Sequence, residues 1–332
     1  MRSTAAGKGR MVRDHAIRST IPVLSIVIAV YNDWDPLDQC LRSLEQQKDG
    51  ASFEVIVVDD GSEDRAPEFI RQWQDCYPLT IIEQPHAGVS VARNRGVQIA
   101  RGAVLLFVDA DCKLQNDCLA TLGSTINAFP QHNCFQLRLV GDRSGLVGRA
   151  EDLRLITIQD QMLQPGGCIR YLNTAGFAIR RARVGSNANL FDPMARRAED
   201  TLLMTDLMED GELPLFVPDA IVQHAIPLSL GYWLWKTVRS AYFEAKTYDI
   251  IGPRAARFRV THRERLRMLR SMWKASGQTS IGRTAWFVAV VRQSLRLVIL
   301  SFADVFGHRS GSQRSRNSLS AAKSHQKGYK VP

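Results

Sequence analysis

The chain has 332 residues, of which 45% are hydrophobic and 23% charged, so it can form one large α/β domain with an appendage or two modest domains. This composition excludes a largely disordered protein. The formal net charge is +10 and is unevenly distributed, because residues 254–296 hold eleven Lys or Arg against the single acid Glu264. Such a basic C-terminal half indicates a polyanionic partner, either nucleic acid or an anionic membrane.

Both ends of the chain are also basic. Residues 1–20 hold five Lys or Arg against one Asp, and residues 308–332 hold six and no acid, and we predict disorder for both segments. The six cysteines form no CxxC pair, which favours reduced thiols in a cytosolic protein. We expect no secretory signal, because the first apolar run, 21–31, is too short for a membrane span and fits a buried strand.

Apolar segments of strand length alternate with helical patterns in the first third of the chain. We predict strands at 25–30, 54–58, 79–82 and 104–108. The pair Asp35-Pro36 begins a helix well, and a second helix is predicted from Val89 to Ala100. Because these strands are apolar throughout, they should be buried on both faces, which predicts an α/β fold with a parallel, doubly wound sheet.

Polar clusters follow three of these strands: Tyr31-Asn32-Asp33, Asp59-Asp60 and Asp109-Ala110-Asp111. In a doubly wound sheet, ligands bind outside the carboxyl ends of the strands, so the clusters mark a candidate site. Two carboxylates one residue apart, as in Asp109 and Asp111, can turn toward one Mg²⁺ or Mn²⁺ ion, which would neutralise a diphosphate. The alternative for this tripeptide is a solvated turn.

The second half of the chain divides into two regions. Residues 134–228 mix strand-like pieces with a helix that begins near Glu199-Asp200, which completes an α/β domain over 21–228. Residues 229–307 are helical, aromatic and basic, and Arg292 and Arg296 lie one turn apart in an apolar segment. This pattern favours an interfacial amphipathic helix, although a helical subdomain packed on the α/β domain would give the same pattern.

Five segments together resemble the family 2 glycosyltransferases, and the resemblance covers residues 22–228. The segments lie at 24–32, 57–64, 86–96, 106–111 and 197–200, and their order and spacing make the match specific. The resemblance implies a GT-A fold: an α/β fold with a doubly wound, mostly parallel sheet, here with a helical C-terminal extension. It also implies sugar transfer, with inversion, from a nucleotide-diphospho-sugar.

The resemblance further implies roles for individual residues. Tyr31 and Asp60 should lie at the nucleotide base with Asp59 nearby, and Arg93 and Asn94 along the nucleotide. Asp109 should approach the ribose or the metal, Asp111 should bind the metal, and His224 can complete the metal site. Asp200 should be the general base, supported by Glu199. Asn173-Thr174 should lie near the acceptor pocket. His86 is a weaker candidate for a site residue.

Each of these residues also has a structural interpretation. Asp59 and Asp60 fit a strand-to-helix turn, and Arg93 and Asn94 fit an exposed helix face. Glu199 and Asp200 fit the acid preference of a helix N-terminus, and a lone His224 fits a core or surface position.

We therefore predict an enzyme that adds one sugar, from a UDP- or GDP-linked donor with Mn²⁺ or Mg²⁺, to a glycan, a lipid-linked acceptor or another cell-envelope acceptor. The chain has no Gln-x-x-Arg-Trp motif and no apolar segment of 18 residues after the α/β domain, which argues against a processive synthase. We expect a cytoplasmic protein, peripheral on the inner face of an anionic membrane. The alternative of a nucleic-acid-binding or other non-catalytic α/β protein lacks a recognisable binding motif, so no nucleic acid partner is expected.

Overall fold

A computed structural model of the chain describes residues 23–48, 51–185, 189–195, 198–224, 229–251, 262–277 and 282–299. The basic segments for which the sequence predicts disorder, 1–20 and 308–332, lie outside these residues.

The strands within the described residues form one mixed sheet. In chain order they are β1 Leu24–Val30, β2 Phe53–Asp59, β3 Leu79–Glu83, β4 Val104–Phe107, β5 Cys112–Leu114, β6 Cys134–Gly141, β7 Phe177–Arg180 and β8 Leu215–His224. The order across the sheet is β3-β2-β1-β4-β7-β6-β8-β5. The pairs among β3, β2, β1 and β4 are parallel, whereas β7 is antiparallel to both β4 and β6. The four strands predicted from the sequence are thus confirmed, and they form a continuous parallel part; β6 and β8 are a second parallel pair.

Helices cover both faces of the sheet. They are α1 Trp34–Glu45, α2 Glu68–Arg71, α3 Val89–Ile99, α4 Cys118–Ala128, α5 Leu146–Met162, α6 Arg181–Val184, α7 Glu199–Glu209, α8 Leu230–Ile251, α9 His262–Ala275 and a helix over 282–299, named α10. One core cluster joins β1 to α1 and α4 through side chains such as Ile26, Leu41 and Leu119. The other joins the opposite face to α3 and α7. Two buried faces explain why the strands are apolar throughout.

Glycines set two close approaches near the sheet edge. A Cβ at Gly96 would lie 2.4 Å from Cγ1 of Val27, so only glycine lets α3 lie this close to β1. Gly61 follows β2 with φ of +79°, and a Cβ there would lie 2.6 Å from the backbone nitrogen of His86. The turn after β2 and the loop before α3 are therefore fixed against each other.

The C-terminal helices pack on the α/β domain through α5. Ala150 and Leu153 of α5 share a buried cluster with Met272 of α9 and Ala289 of α10. An ion pair adds to this contact, with Arg292 Nη1 2.9 Å from Glu151 Oε2. None of the helices within the described ranges is both long enough and apolar enough to cross a membrane.

Candidate active site

A cavity of about 1090 Å³ lies at the carboxyl ends of the parallel strands. Its wall includes most of the predicted site residues, namely Tyr31, Asp60, Arg93, Asp109, Asp111, Glu199, Asp200 and His224. His86, Asn173 and Thr174 also line it. The two remaining predicted residues, Asp59 and Asn94, are not part of this wall. The sheet edge predicted from the strand-end clusters therefore borders a large cavity.

An aromatic pair forms one side of the cavity. Tyr31 follows β1 and is 43% exposed, and its ring centroid lies 4.4 Å from that of His86 at an interplanar angle of 34°. The residue between Tyr31 and the acid Asp33, Asn32, has φ of +57°, a left-handed conformation that turns the chain out of the strand. An exposed ring held in place by a second ring offers a planar surface on which a nucleobase can stack.

The Asp60 carboxylate is buried and already accepts several hydrogen bonds. Its Oδ1 accepts from Gln84 Nε2 at 2.8 Å and from the Ala87 backbone N–H at 2.9 Å, and its Oδ2 accepts from the Gly88 N–H at 2.9 Å. His86 Nδ1 lies 3.0 Å from Oδ2. Asp60 therefore shapes the loop that leads into α3, and its contact with a base stays a prediction.

Asp59 and Asn94 have partners away from the cavity. Asp59 Oδ1 accepts from the backbone N–H and the hydroxyl of Ser62, at 2.9 Å and 2.6 Å. These hydrogen bonds agree with the interpretation of Asp59 as part of a turn that follows the strand. Asn94 Nδ2 donates to the Phe191 carbonyl at 2.7 Å, and the Phe191 N–H donates back to Oδ1 at 2.9 Å. Both side chains are held by hydrogen bonds within the chain, so this arrangement gives no support to their predicted place along the nucleotide.

The acidic motif after β4 meets His224 because β5 and β8 pair. Cys112 lies opposite His224 in this antiparallel pair, which places His224 Nε2 3.7 Å from Asp111 Oδ1. Asp111, Cys112 and His224 each offer a ligand atom within 4.8 Å of the others. Burial, together with Asp111 and Asp109, raises the pKa of the Cys112 thiol well above its ordinary value, which disfavours the thiolate that a metal ligand requires. The Asp111 carboxylate is an oxygen ligand of the kind that Mn²⁺ and Mg²⁺ take, and the His224 imidazole can serve as a further ligand of a divalent transition metal.

Asp33 adds a further carboxylate at this end of the cavity. Burial and the nearby Asp111 raise the pKa of Asp33, and Lys236 opposes them. Three acids, Asp33, Asp109 and Asp111, thus face one region of the cavity, which is the electrostatic arrangement that a divalent cation relieves.

Arg93 connects the two halves of the site. It is 4% exposed, and its guanidinium donates to Asp109 Oδ1 at 2.7 Å and to Glu199 Oε1 at 2.5 Å. The two carboxylates, and secondarily the hydrogen bonds to them, outweigh burial and raise the pKa of Arg93. The alternative interpretation, in which Arg93 and Asn94 lie on an exposed helix face, is wrong, because both side chains are buried. Arg93 is therefore a positioning residue that fixes Asp109 relative to Glu199.

Asp200 lies at the first turn of α7, on the cavity wall. Ala198, the residue that precedes the Glu199-Asp200 pair, has φ of +59° and ψ of +28°, a left-handed conformation unusual for a residue with a Cβ. Glu199 points to Arg93, whereas Asp200 Oδ1 accepts from the Thr201 N–H at 2.7 Å. The two adjacent acids therefore have different surroundings.

Sequence reasoning missed the helical side of the cavity. Tyr171 and Arg154 line it from the α5 region, and Lys236, Arg239 and Arg265 line it from α8 and α9. Lys236, Arg239 and Phe243 recur at spacings of three and four residues, the period of one helix face, which is the available signal. That signal shows which residues share a face but not which way the face points.

A family model matches the part of the chain that contributes the residues after β1, β2 and β4. The family model described as Glycosyl transferase family 2 matches residues 25–184. Residues 25–184 are a family 2 glycosyltransferase domain. The family predicted from the sequence is thereby confirmed over these residues.

Curated relatives match about a third of this chain. Glycosyltransferase AglE of Haloferax volcanii is 38% identical over 112 residues, which cover 33% of this chain and 37% of that protein. The uncharacterized glycosyltransferase YibD of Escherichia coli is 38% identical over 100 residues, which cover 30% of this chain and 29% of that protein. The matched region thus spans about a third of each relative.

Solved structures show that the fold is GT-A, as predicted. The mannosyltransferase PcManGT from Pyrobaculum calidifontis, in complex with GDP-Man and Mn²⁺, aligns with a TM-score of 0.54 at 18% identity over 94% of this chain and 89% of that one. S. aureus TarS 1–349 in complex with UDP aligns with a TM-score of 0.52 at 15% identity over 87% of this chain and 91% of that one. Both alignments extend beyond the segment matched by the family model.

Proposed function

We propose that the protein transfers one sugar from a nucleotide-diphospho-sugar to an acceptor hydroxyl, with inversion at the anomeric carbon. The observation that carries the proposal is the meeting of Asp111 with His224, 3.7 Å apart, in a cavity that also holds Asp200. The GDP-Man and UDP of the structural neighbours suggest a donor linked to GDP or UDP.

Asp111 and His224 would hold Mn²⁺ or Mg²⁺, with Asp109 or Asp33 as a further oxygen ligand. The metal, when bound, neutralises the diphosphate leaving group. Tyr31, braced by His86, would stack on the base, and Arg93 would hold Asp109 in place. These residues form the donor half.

Asp200 would take the proton of the acceptor hydroxyl. The acceptor oxygen then bonds to the anomeric carbon while the bond from that carbon to the diphosphate oxygen breaks, and the nucleoside diphosphate leaves. Glu199 is tied to Arg93 at 2.5 Å, so it would support Asp200 without exchanging the proton itself.

The acceptor would be a glycan, a lipid-linked acceptor or another cell-envelope molecule, reached at an anionic membrane surface. On α9, four exposed cations repeat at helical spacing: Arg263, Arg267, Arg270 and Lys274. Beside them Leu266 is 56% exposed, and on α10 Phe287 is 61% exposed. Exposed apolar side chains among cations are typical of helices that lie in an anionic lipid interface, which would place the protein on the cytoplasmic face of the membrane.

The donor is tested with a panel of UDP- and GDP-sugars, with and without Mn²⁺, by thermal shift and by transfer or hydrolysis of labelled donor. We expect one donor to stabilise the protein only with the metal, and Asp111→Asn to abolish that shift. We expect Asp200→Asn to keep the shift but to lose about 100-fold or more in rate. Glu45→Gln, an exposed acid of α1 outside the cavity, is the control. Activity of Asp111→Asn and Asp200→Asn equal to that of the parent would refute the assigned site.

Membrane binding is tested by co-sedimentation of the protein with phosphatidylglycerol vesicles. Phosphatidylcholine vesicles and a DNA duplex serve as competitors. We expect binding to the anionic vesicles that weakens with salt and weakens further in a Leu266→Ser/Phe287→Ser variant. Phe129→Ser, which removes a 41%-exposed ring from the α/β domain, should bind as the parent does. Preference for DNA would instead support the nucleic-acid-binding alternative.

A further inference from the structure

The helical part of the cavity wall is cationic and apolar. Helices α8 and α9 contribute Lys236, Arg239 and Arg265 to it, and α9 adds Met268, Leu269 and Met272. The proposed donor residues lie instead at the loops after β1, β2 and β4. One cavity thus has acidic residues contributed by the strand ends and basic residues contributed by the helices.

Several cations of the cavity wall form ion pairs with a carboxylate of the chain. Arg93 pairs with Asp109 and Glu199, Arg170 pairs with Glu264 at 2.5 Å, and Arg154 and Arg292 both pair with Glu151.

Lys236, Arg239 and Arg265 differ from these. In the part of the chain that the structure describes, none of the three has an ion pair, and Arg239 contacts the Trp235 ring with its Cζ 5.1 Å from the centroid. Lys236 influences Asp33 electrostatically, so it lies toward the metal end. Apart from the interaction of Lys236 with Asp33, these three cations of the helical wall therefore have no acidic partner among the described residues.

Arg265 carries the most specific signal. Its Nε is buried from solvent and has no hydrogen-bond partner among the described residues. A buried donor without an acceptor costs free energy, so native proteins rarely leave one unless a ligand supplies the acceptor. A phosphate fits, because its oxygens can accept from Nε and from a second guanidinium nitrogen together.

We propose that this wall is an acceptor subsite that binds a phosphate group of the acceptor between Lys236 and Arg265, with Arg239 at its rim. The inference rests on the proposed glycosyl transfer and names the class of its acceptor. The donor diphosphate is assigned to Asp111 and His224 on the strand-end wall, and the helical cations, of which Lys236 lies nearest to these residues, would serve a second anion. The adjacent apolar residues of α9 favour a phosphate carried on an apolar chain.

Binding is measured by isothermal titration of the full chain in chelator, so that no divalent metal recruits phosphate. The probes are octyl phosphate, which joins phosphate to an apolar chain, glycerol phosphate, which has the phosphate alone, and octanol, which has the chain alone. The variants are Lys236→Gln and Arg265→Met, and Arg149→Gln, an exposed cation of α5 outside the cavity, is the control. The thermal shift of each variant with UDP or GDP and Mn²⁺ is recorded in parallel.

We expect octyl phosphate to bind, and each of the two variants to weaken it about tenfold, the loss of one charge-assisted hydrogen bond. Arg149→Gln should bind as the parent does, and the nucleotide shift should persist in all three variants. Glycerol phosphate binding equal to that of octyl phosphate would support the phosphate subsite and assign it to a soluble phosphate. Octanol binding equal to that of octyl phosphate, or binding unchanged in both variants, would overturn the proposal. Loss of the nucleotide-dependent thermal shift in Lys236→Gln and Arg265→Met would also overturn the proposal, because these cations would then be part of the donor site. If no nucleotide stabilises the parent protein, the proposed function itself is refuted.

Discussion

Replacing Arg93 by methionine should destabilise the fold, because it leaves two carboxylates facing each other without their shared cation. Arg93 is 4% exposed, and the side chain of its partner Glu199 is 10% exposed, so this pair is nearly dry. Removing one partner of a buried ion pair costs about 3–5 kcal/mol. The Asp109 side chain is 32% exposed, so water can solvate its charge in the variant. Its contribution to the loss of stability is therefore smaller than that of Glu199. We expect a loss of about 3 kcal/mol.

The measurement is urea unfolding followed by circular dichroism, with the midpoint and the slope compared with those of the parent. Arg95→Met is the matched control, since Arg95 is exposed on the same helix and should change the free energy of unfolding by less than about 0.5 kcal/mol. A double variant, Arg93→Met/Glu199→Gln, removes the buried uncompensated charge and should regain part of the loss. The reasoning fails if Arg93→Met unfolds at the parent's midpoint, or if the double variant is no more stable than the single one.

Three further changes test other parts of the structure. Gly61→Ala should cost about 1–3 kcal/mol, because of the positive φ and the 2.6 Å approach to His86, whereas Gly145→Ala, with open space around its Cβ, should shift the melting temperature little. Asn94→Ala should lose about 2 kcal/mol with its two hydrogen bonds to Phe191 yet keep the nucleotide-dependent thermal shift; loss of that shift without loss of stability would return Asn94 to the nucleotide. Burial raises the pKa of Glu151, but Arg154 and Arg292 outweigh it and lower the value from 4.5 to about 2. The folded pKa lies below the unfolded one, so this stabilisation of about 3 kcal/mol is present above pH 4.5 and disappears as the pH falls toward 2. Urea midpoints of the parent should therefore fall more steeply over that range than those of Glu151→Gln, and parallel slopes would contradict the ion pair.

The donor half of the fold is readable from the sequence because its signals are local. Each of the four predicted parallel strands is a short, mostly apolar run, and the polar residue after such a run must lie at one sheet edge, as Asp109 and Asp60 do. The contact of His224 with Asp111 depends on pairing between β5 and β8, which are far apart in the chain, and it was inferred from resemblance alone. Local pattern contains no information on such a pairing.

The sequence does not show which polar residues are used by the chain itself. Asp59 and Asp60 are adjacent, yet one closes a turn with Ser62 and the other orders the loop before α3. Arg93 and Asn94 both look like surface residues by type, but α3 is buried on the side where both lie. Only the packing of α3 against Phe191 and Glu199 distinguishes a buried bridge from an exposed cation.

The change of strand direction at β7 determines which segments of the chain line the cavity. Because β7 runs antiparallel to β4, its amino end lies next to the carboxyl end of β4, where Asp109 follows. The segment that precedes β7, with α5 and Asn173, therefore lines the cavity without passing through the strands that hold the donor residues. Under the proposed assignment, changes in this segment would leave the β1, β2 and β4 loops intact and would alter only the acceptor side of the cavity. Exchange of residues 142–172 with those of a relative should therefore change the preference for the acceptor and leave the preference for the nucleotide as it is.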